Sequence, residues 1–211
     1  YILPKGGHVL EPMCGHGIAK SYLEAHVHSQ FHYAGFDYSQ PLVDIAQRRM
    51  PESHVYLQDV TRFETQQRYD LIFLAGGLHH VFAHTCDVLQ RLRGALKPGG
   101  YMVSAEPTYD NALYGLAGRL IYRKSAKFEH ESEQRYALKA LNAHYEAAGF
   151  TIVDQMHIGL LGYIIAVSAF CFPFLCVGTP AFVRLLFRLE RPLYRSWLGR
   201  KFSFCTFTLL R

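Results

Sequence analysis

No two cysteines of this sequence stand in a C-x-x-C pair; the five present, Cys14, Cys86, Cys171, Cys176 and Cys205, are odd in number and scattered. That suits reduced thiols in a reducing, cytoplasmic setting rather than a disulfide framework. No charged-then-apolar leader follows Tyr1, so no signal peptide is expected, and because the first residue is not methionine, native sequence upstream of it is expected to be missing. Charge is sparse, 18% of residues against 50% hydrophobic, which excludes disorder and permits a sizeable single core. Internal repeats and low-complexity tracts are absent. So is any charge between Ile158 and Val183, a run of 26 residues.

The net charge of +5 is local. Arg184, Arg188, Arg191, Arg195, Arg200 and Lys201 face only Glu190 in the stretch that follows the uncharged run, and the rest of the chain is balanced. A nucleic-acid binder spreads its cations over a face, so no nucleic-acid partner is expected. Ahead of this stretch, short apolar runs ("GHVLEPM", "FHYAGFD", "SHVYLQDV", "YDLIFLAG", "GGYMVSAEP") alternate with segments of helical period ("GIAKSYLEAHVHS", "SQPLVDIAQRRM", "TCDVLQRLRGALKPGG"). This alternation predicts an α/β fold, a mostly parallel sheet with helices on both faces. "ALKPGG" reads as a helix stop, and Ser39 before Pro41 as an N-cap. "ESEQRYALKALNAHYEAAGF" reads as a helix closed by Gly149, "FTIVDQMHI" as a sixth strand and "KFSFCTFTLLR" as a seventh. The core is then 1–158 with 200–211, and 159–199 is an insertion before the last strand.

In "VLEPMCGHG" a buried strand delivers Glu11, and a turn holding Gly15 and Gly17 opens into a helix. Glycines let backbone approach a ligand, and a helix start offers free N–H groups. The next strand ends on Asp37, where a carboxylate can accept both hydroxyls of a ribose at the carboxyl edge of the sheet. The G-x-G-x-x-G of dinucleotide binders and the G-x-x-x-x-G-K-[ST] phosphate loop are both missing.

These runs, in order and correctly spaced from Gly7 to Pro107, resemble the class I S-adenosylmethionine-dependent methyltransferases, and most closely the broad group (methyltransferase type 11) that holds the ubiquinone and menaquinone methyltransferases. "HVLEPMCGHG", "YAGFDYSQPLVDIAQRR", "VYLQDVTRF", "YDLIFLAGGLHHV" and "LRGALKPGGYMVSAEP" match five successive motifs. One departure is that Met13 and Cys14 stand where many members have glycine and a small residue. The resemblance implies a Rossmann-like, seven-stranded sheet whose last strand is antiparallel, and S-adenosyl-L-methionine as cofactor. It places Glu11, Cys14, Gly15 and Gly17 at the amino-acid end of the cofactor and Asp37 on the ribose. Tyr38 and Leu42 would pack near the adenine, Asp59 would accept from its amino group, and the Val60 backbone would position the ring. Ala75 and Gly76 would face the sulfonium.

Methyl transfer needs orientation and exclusion of water, and a base when the acceptor is a hydroxyl. His79 and His80, after the fourth strand, are the candidate catalytic residues; hydrogen bonding at the strand end is the other reading of both. Glu106 and Tyr109 follow the fifth strand as candidate substrate contacts or as a polar rim. The pairs His80/His84 and His28/His32 lack a carboxylate or thiolate partner, so no metal is expected.

As one helix the uncharged run would span roughly 39 Å, enough for a bilayer core of about 30 Å. Gly159, Gly162, Pro173, Gly178 and Pro180 interrupt it, however, and flanking strands in one sheet force the chain to leave and return on the same side. A broken or interfacial insertion is expected instead. Arg184, Arg188, Arg191 and Arg195 at spacings of 4, 3 and 4 predict one helical stripe, with Trp197 near its end, suited to an anionic lipid surface. The implied substrate is hydrophobic or lipid-linked, with peripheral contact at the inner face of the membrane. The alternative is a soluble enzyme acting on oxygen or nitrogen of a small metabolite, its insertion a lid or dimer interface.

Overall fold

The structure, a computed structural model, describes residues 3–27, 30–108, 136–160, 162 and 180–211. Tyr109, the "LYGLAGRLIYRK" stretch and most of the charge-free run lie outside the described residues. Seven strands form one sheet: β1 (Gly7–Pro12), β2 (Phe31–Asp37), β3 (His54–Leu57), β4 (Tyr69–Ala75), β5 (Leu96–Pro107), β6 (Ile152–Ile158) and β7 (Cys205–Leu210). Their order is β3-β2-β1-β4-β5-β7-β6. The first five are parallel, and β7 is antiparallel to both of its neighbours. This is the Rossmann-like, mostly parallel architecture that the strand–helix alternation predicts.

Helices α1 (Ile18–His26) and α2 (Gln40–Arg49) pack on one face through Leu23, Val43 and Ala46, against Val9, Tyr33, Val55 and Leu71. Helices α3 (Thr85–Gly94) and α4 (Leu138–Ala147) pack on the other through Val88, Leu89, Leu92, Leu141 and Tyr145, against Leu10, Ile72, Leu74 and Met102. The alternation of Leu71 and Phe73 with Ile72 and Leu74 along β4 divides one strand between the two layers. Asp70 ties three strands together: its Oδ2 accepts from the His8 N–H and from Lys97 Nζ, both at 2.7 Å. Burial works against its charge, but those two donors outweigh it and hold the carboxyl below its ordinary range.

β1 pairs with β2 on one side and β4 on the other, so the chain reverses its direction of progress across the sheet there. In open α/β sheets ligands bind at such a switch point, off the carboxyl ends of the strands.

Three boundaries differ from the sequence reading. Helix α3 ends at Gly94, and "KPGG" belongs to β5. Tyr69 pairs with Leu96 and Leu71 with Tyr101, so Lys97–Gly100 is an excursion that Pro98 can occupy without owing the ladder an N–H. The last strand begins at Cys205, not Lys201, because the Ser196 hydroxyl accepts from the Gly199 N–H at 3.1 Å and starts a helix, α6 (Trp197–Phe202). The four arginines do not form one stripe. Helix α5 (Pro180–Glu190) carries Arg184 and Arg188, and a 3-10 turn over Arg191–Leu193 follows it. Pro192 supplies no N–H to continue the helix. Arg195 lies beyond that turn and forks onto Asp154 of β6, with Nε 3.1 Å from Oδ1. Among the described residues no helix is long and apolar enough to cross a membrane.

Candidate active site

The turn after β1 is built on unusual backbone. Gly15 and Gly17 have φ of +53° and +76°, and Met13, at +53°, is the one non-glycine with positive φ among the described residues. The position where the sequence departs from glycine is therefore one where glycine would be unstrained. Met13 extends toward the turn after β4, where a Cβ on Gly77 would come within 2.8 Å of its sulfur.

Asp37, at the end of β2, joins this turn to the next. Its Oδ2 accepts from the Gly15 N–H and its Oδ1 from the Ser39 N–H, each at 2.9 Å. Each oxygen keeps acceptor capacity for a further donor. Glu11 is buried at the end of β1 and accepts the Tyr33 hydroxyl at 2.5 Å. Burial pushes its pKa up to about 7, against the lowering effect of Tyr33 and of the Ala19 N–H at the start of α1. Cys14 is pushed up to about 12 by burial and by the Glu11 and Asp37 carboxylates, so its thiol stays neutral and is no nucleophile.

Among these glycines two leave open room. A Cβ on Gly15 would meet nothing within 4 Å, and one on Gly76, also at positive φ, would meet only His79 Cε1 at 3.7 Å. Gly17 is different: a Cβ there would lie 2.1 Å from Met50 Cε, so this glycine serves packing. Bare backbone at Gly15 and Gly76, a bracing carboxylate on each of β1 and β2, and the switch point between them fit a nucleoside cofactor with a cationic centre.

A cavity of about 1510 Å³ adjoins this turn. Glu11, Cys14, Gly15 and Ala75 are part of its lining, with Lys5, His16 and His26, and most of the rest is apolar: Ile18 and Tyr22 of α1, Leu71 and Phe73 of β4, Val103 of β5, Met156 and Ile158 of β6, and Phe207 of β7. Asp37, Tyr38, Leu42, Asp59, Val60 and Gly76 are not part of that lining. Tyr38 is 71% exposed and Leu42 half-buried, beside the end of β2. Asp59 is exposed; its Oδ1 accepts from both the N–H and the hydroxyl of Thr61 at 2.8 Å, capping a 3-10 turn over Val60–Arg62. Those two bonds, Thr61's hydroxyl first, hold Asp59 below its ordinary range despite slight burial.

Glu106 corrects the sequence reading. It does not face an acceptor. Its side chain is wholly buried, accepting the Gly77 and Leu78 N–H groups at 3.0 and 2.9 Å and approaching His79 Nδ1 at 3.0 Å. Strand alternation explains this: Glu106 shares parity with Met102 and Ser104, which face the α3–α4 layer. His79 is partly buried and His80 exposed, on a 3-10 turn over Leu78–His84. Tyr33, Met50 and Tyr136 were missed as site supports. Tyr33 shares the face of Asp37 at period 2, which was the available signal; Tyr136, whose hydroxyl donates to the Leu78 carbonyl at 3.0 Å, left none. Among the described residues no group of three or more His, Cys, Asp or Glu is placed to hold a metal ion.

A family model described as a methyltransferase domain matches residues 1–155. Trans-aconitate 2-methyltransferase of Acidovorax sp. (strain JS42) is 27% identical over 147 residues, covering 68% of this chain and 56% of that protein. The chain thus spans about half the length of the curated relatives it matches. Among solved structures, the cyclopropane synthase MmaA2 from Mycobacterium tuberculosis superposes with a TM-score of 0.69 at 15% identity, over 99% of this chain and 79% of that one. An S-adenosylmethionine-dependent methyltransferase from Mesorhizobium loti gives 0.63 at 16% identity, over 100% and 94%. The chain belongs to the class I S-adenosylmethionine-dependent methyltransferases, and S-adenosylmethionine is its cofactor.

Proposed function

We propose that this methyltransferase acts on a hydrophobic or lipid-linked acceptor at a membrane surface on the cytoplasmic side. The observation that carries the proposal is the outer surface of α5 and α6. Leu185, Leu189, Trp197 and Leu198 are exposed there, Leu189 by 65% and Trp197 by 66%, among the exposed cations Arg184, Arg188, Arg191, Arg200 and Lys201. Apolar anchors beside cations match an anionic lipid interface. The apolar wall of the cavity next to the cofactor turn supports an acceptor of the same character.

When bound, S-adenosylmethionine supplies a methyl group already activated on a sulfonium. In this reading Asp37 takes the ribose hydroxyls, Glu11 and the Cys14–Gly17 turn hold the amino-acid end, and Ala75 and Gly76 lie beside the sulfonium. Tyr38, Leu42, Asp59 and Val60 bound the adenine. The methyl is delivered to oxygen, carbon or nitrogen of an acceptor held against the apolar wall.

The second reading, a small soluble acid as acceptor, is favoured by the similarity to trans-aconitate 2-methyltransferase. Methyl-labelled S-adenosylmethionine offered with a membrane lipid extract, and separately with trans-aconitate, decides between them. Label in the lipid fraction, together with sedimentation on anionic vesicles that weakens with salt, is the expected outcome. Label in trans-aconitate alone would replace the lipid reading with the second.

A further inference from the structure

Just past the carboxyl ends of β1 and β4, two residues carry side chains at odds with their backbones. Met13 has a φ of +53°, a region that suits glycine, yet it bears a long side chain. Gly77 has φ −107° and ψ −40°, in the right-handed region open to every residue, yet it bears none. Room explains the glycine. A Cβ on Gly77 would lie 2.8 Å from Met13 Sδ and 3.4 Å from Met13 Cβ. Met13 therefore fills the space that a side chain at position 77 would take, half-buried against the core layer of Leu74 and Leu78. Both sides of this contact are fixed. The Cys14 N–H donates to the Phe36 carbonyl at 2.9 Å and the Gly15 N–H to Asp37 at 2.9 Å. Across the gap, the Gly76 N–H donates to the Ala105 carbonyl at 2.7 Å and the Gly77 N–H to Glu106 at 3.0 Å. Met13 also lines the large cavity, together with Cys14, Gly15 and Ala75.

We propose that Met13 is a positioning residue for the cofactor: its side chain braces the turn after β1 against the turn after β4 and holds the two at the separation that S-adenosylmethionine requires. This rests on the site reading above, which puts the Cys14–Gly17 turn at the amino-acid end of the cofactor and Ala75 and Gly76 beside its sulfonium. One arm of the ligand then bridges two turns on neighbouring strands. Slack between them lowers the fraction of molecules ready to bind, and Kd rises in inverse proportion to that fraction. A glycine at position 13 would relieve the left-handed strain but leave the space beside Gly77 empty. Strain of this kind persists where the surroundings over-determine it, and it collects at ligand clamps. The unbranched thioether suits the role, because it can follow an irregular gap between two backbones.

Met13→Gly separates bracing from packing. It removes the strain and the half-buried side chain together, two effects of opposite sign on stability, so Tm without cofactor should move by less than about 5 °C. Kd for S-adenosylmethionine, measured by isothermal titration calorimetry, should rise on the order of tenfold, as when about one molecule in ten holds both turns in place. Gly77→Ala drives a Cβ into the thioether and should raise Kd roughly fivefold in the native chain. In the Met13→Gly background the same change meets open space and should leave Kd where it was. An unchanged Kd in Met13→Gly, whatever its Tm, would make Met13 a packing residue and overturn the proposal. So would an equal effect of Gly77→Ala in both backgrounds. Should Met13→Gly not fold, Gly77→Ala in the native chain decides alone, and a Kd it leaves unchanged overturns the proposal. A native protein that binds no S-adenosylmethionine would sink the cofactor reading and the proposal with it, a result distinct from native binding that the variants retain.

Discussion

Glu11 is protonated over a pH range in which most carboxylates are charged, because burial costs its anion more than Tyr33 and the Ala19 N–H return. The unfolded chain gives up this proton near the ordinary value of 4.5 and the folded chain near 7. Stability is therefore full below the lower value and falls as pH rises to the upper one, by about 3 kcal/mol in total. Glu11→Gln removes that slope. Urea unfolding at pH 5 and pH 8 should show the variant gaining on the native protein at pH 8; equal differences at both pH values would refute the assignment. Gly35 protects the same pair. A Cβ there would stand 2.9 Å from the Tyr33 hydroxyl and 3.2 Å from Cys14 Sγ, so the Tyr33–Glu11 bond exists only opposite a glycine. At Gly17 two effects add, a left-handed φ and the Met50 methyl 2.1 Å from a new Cβ. Gly17→Ala should cost about 2 kcal/mol, read as a lowered Tm in the absence of cofactor.

Among the elements, the surface cations are not equivalent. Arg184 and Arg188 are exposed on α5, whereas Arg195 is engaged with Asp154. Each surface cation near anionic lipid contributes about 1 kcal/mol. Arg184→Ala and Arg188→Ala should each weaken binding to phosphatidylserine vesicles roughly fivefold, while Arg195→Ala should leave it unchanged. Equal losses at all three positions would restore the single stripe. Why the sequence misled here is physical: spacing alone put Arg195 in line, but Pro192 ends the helical path and Asp154, distant in sequence, captures the side chain. Strands β1, β2 and β4 were legible almost to the residue because each is a buried apolar run ending in a turn. The turn after β1 was legible too, its glycines standing where the backbone must take a positive φ. The role of Glu106 was not, since a carboxylate at a strand end looks alike from the sequence whether it points at solvent or at the N–H groups of Gly77 and Leu78.

For the molecule as a whole, the site joins elements that no single segment supplies: turns after β1, β2 and β4 meet only in the folded sheet. Cofactor therefore stabilises the entire fold by mass action. At a hundredfold excess over Kd the gain is about 2.7 kcal/mol, equivalent to a rise in Tm of roughly 5–10 °C for a chain of this size. Differential scanning calorimetry with S-adenosylmethionine should show that rise, and Asp37→Ala should abolish it. A variant that keeps the full rise would remove Asp37 from the site.

The hairpin formed by β6 and β7 is tied at its open end several times over. Ile158 pairs with Cys205, the Phe204 N–H donates to the Gly159 carbonyl at 3.2 Å, and the Gly162 N–H donates to the buried Glu190 carboxylate at 2.7 Å. Both feet of the excursion between Gly162 and Glu190 are thus fixed to one another whatever lies between them. Lengthening a loop whose ends are already joined costs little, about 0.6 kcal/mol for each doubling. The hairpin works as a socket: the segment seated in it can change length like an exchanged cartridge while the sheet that carries it stays the same.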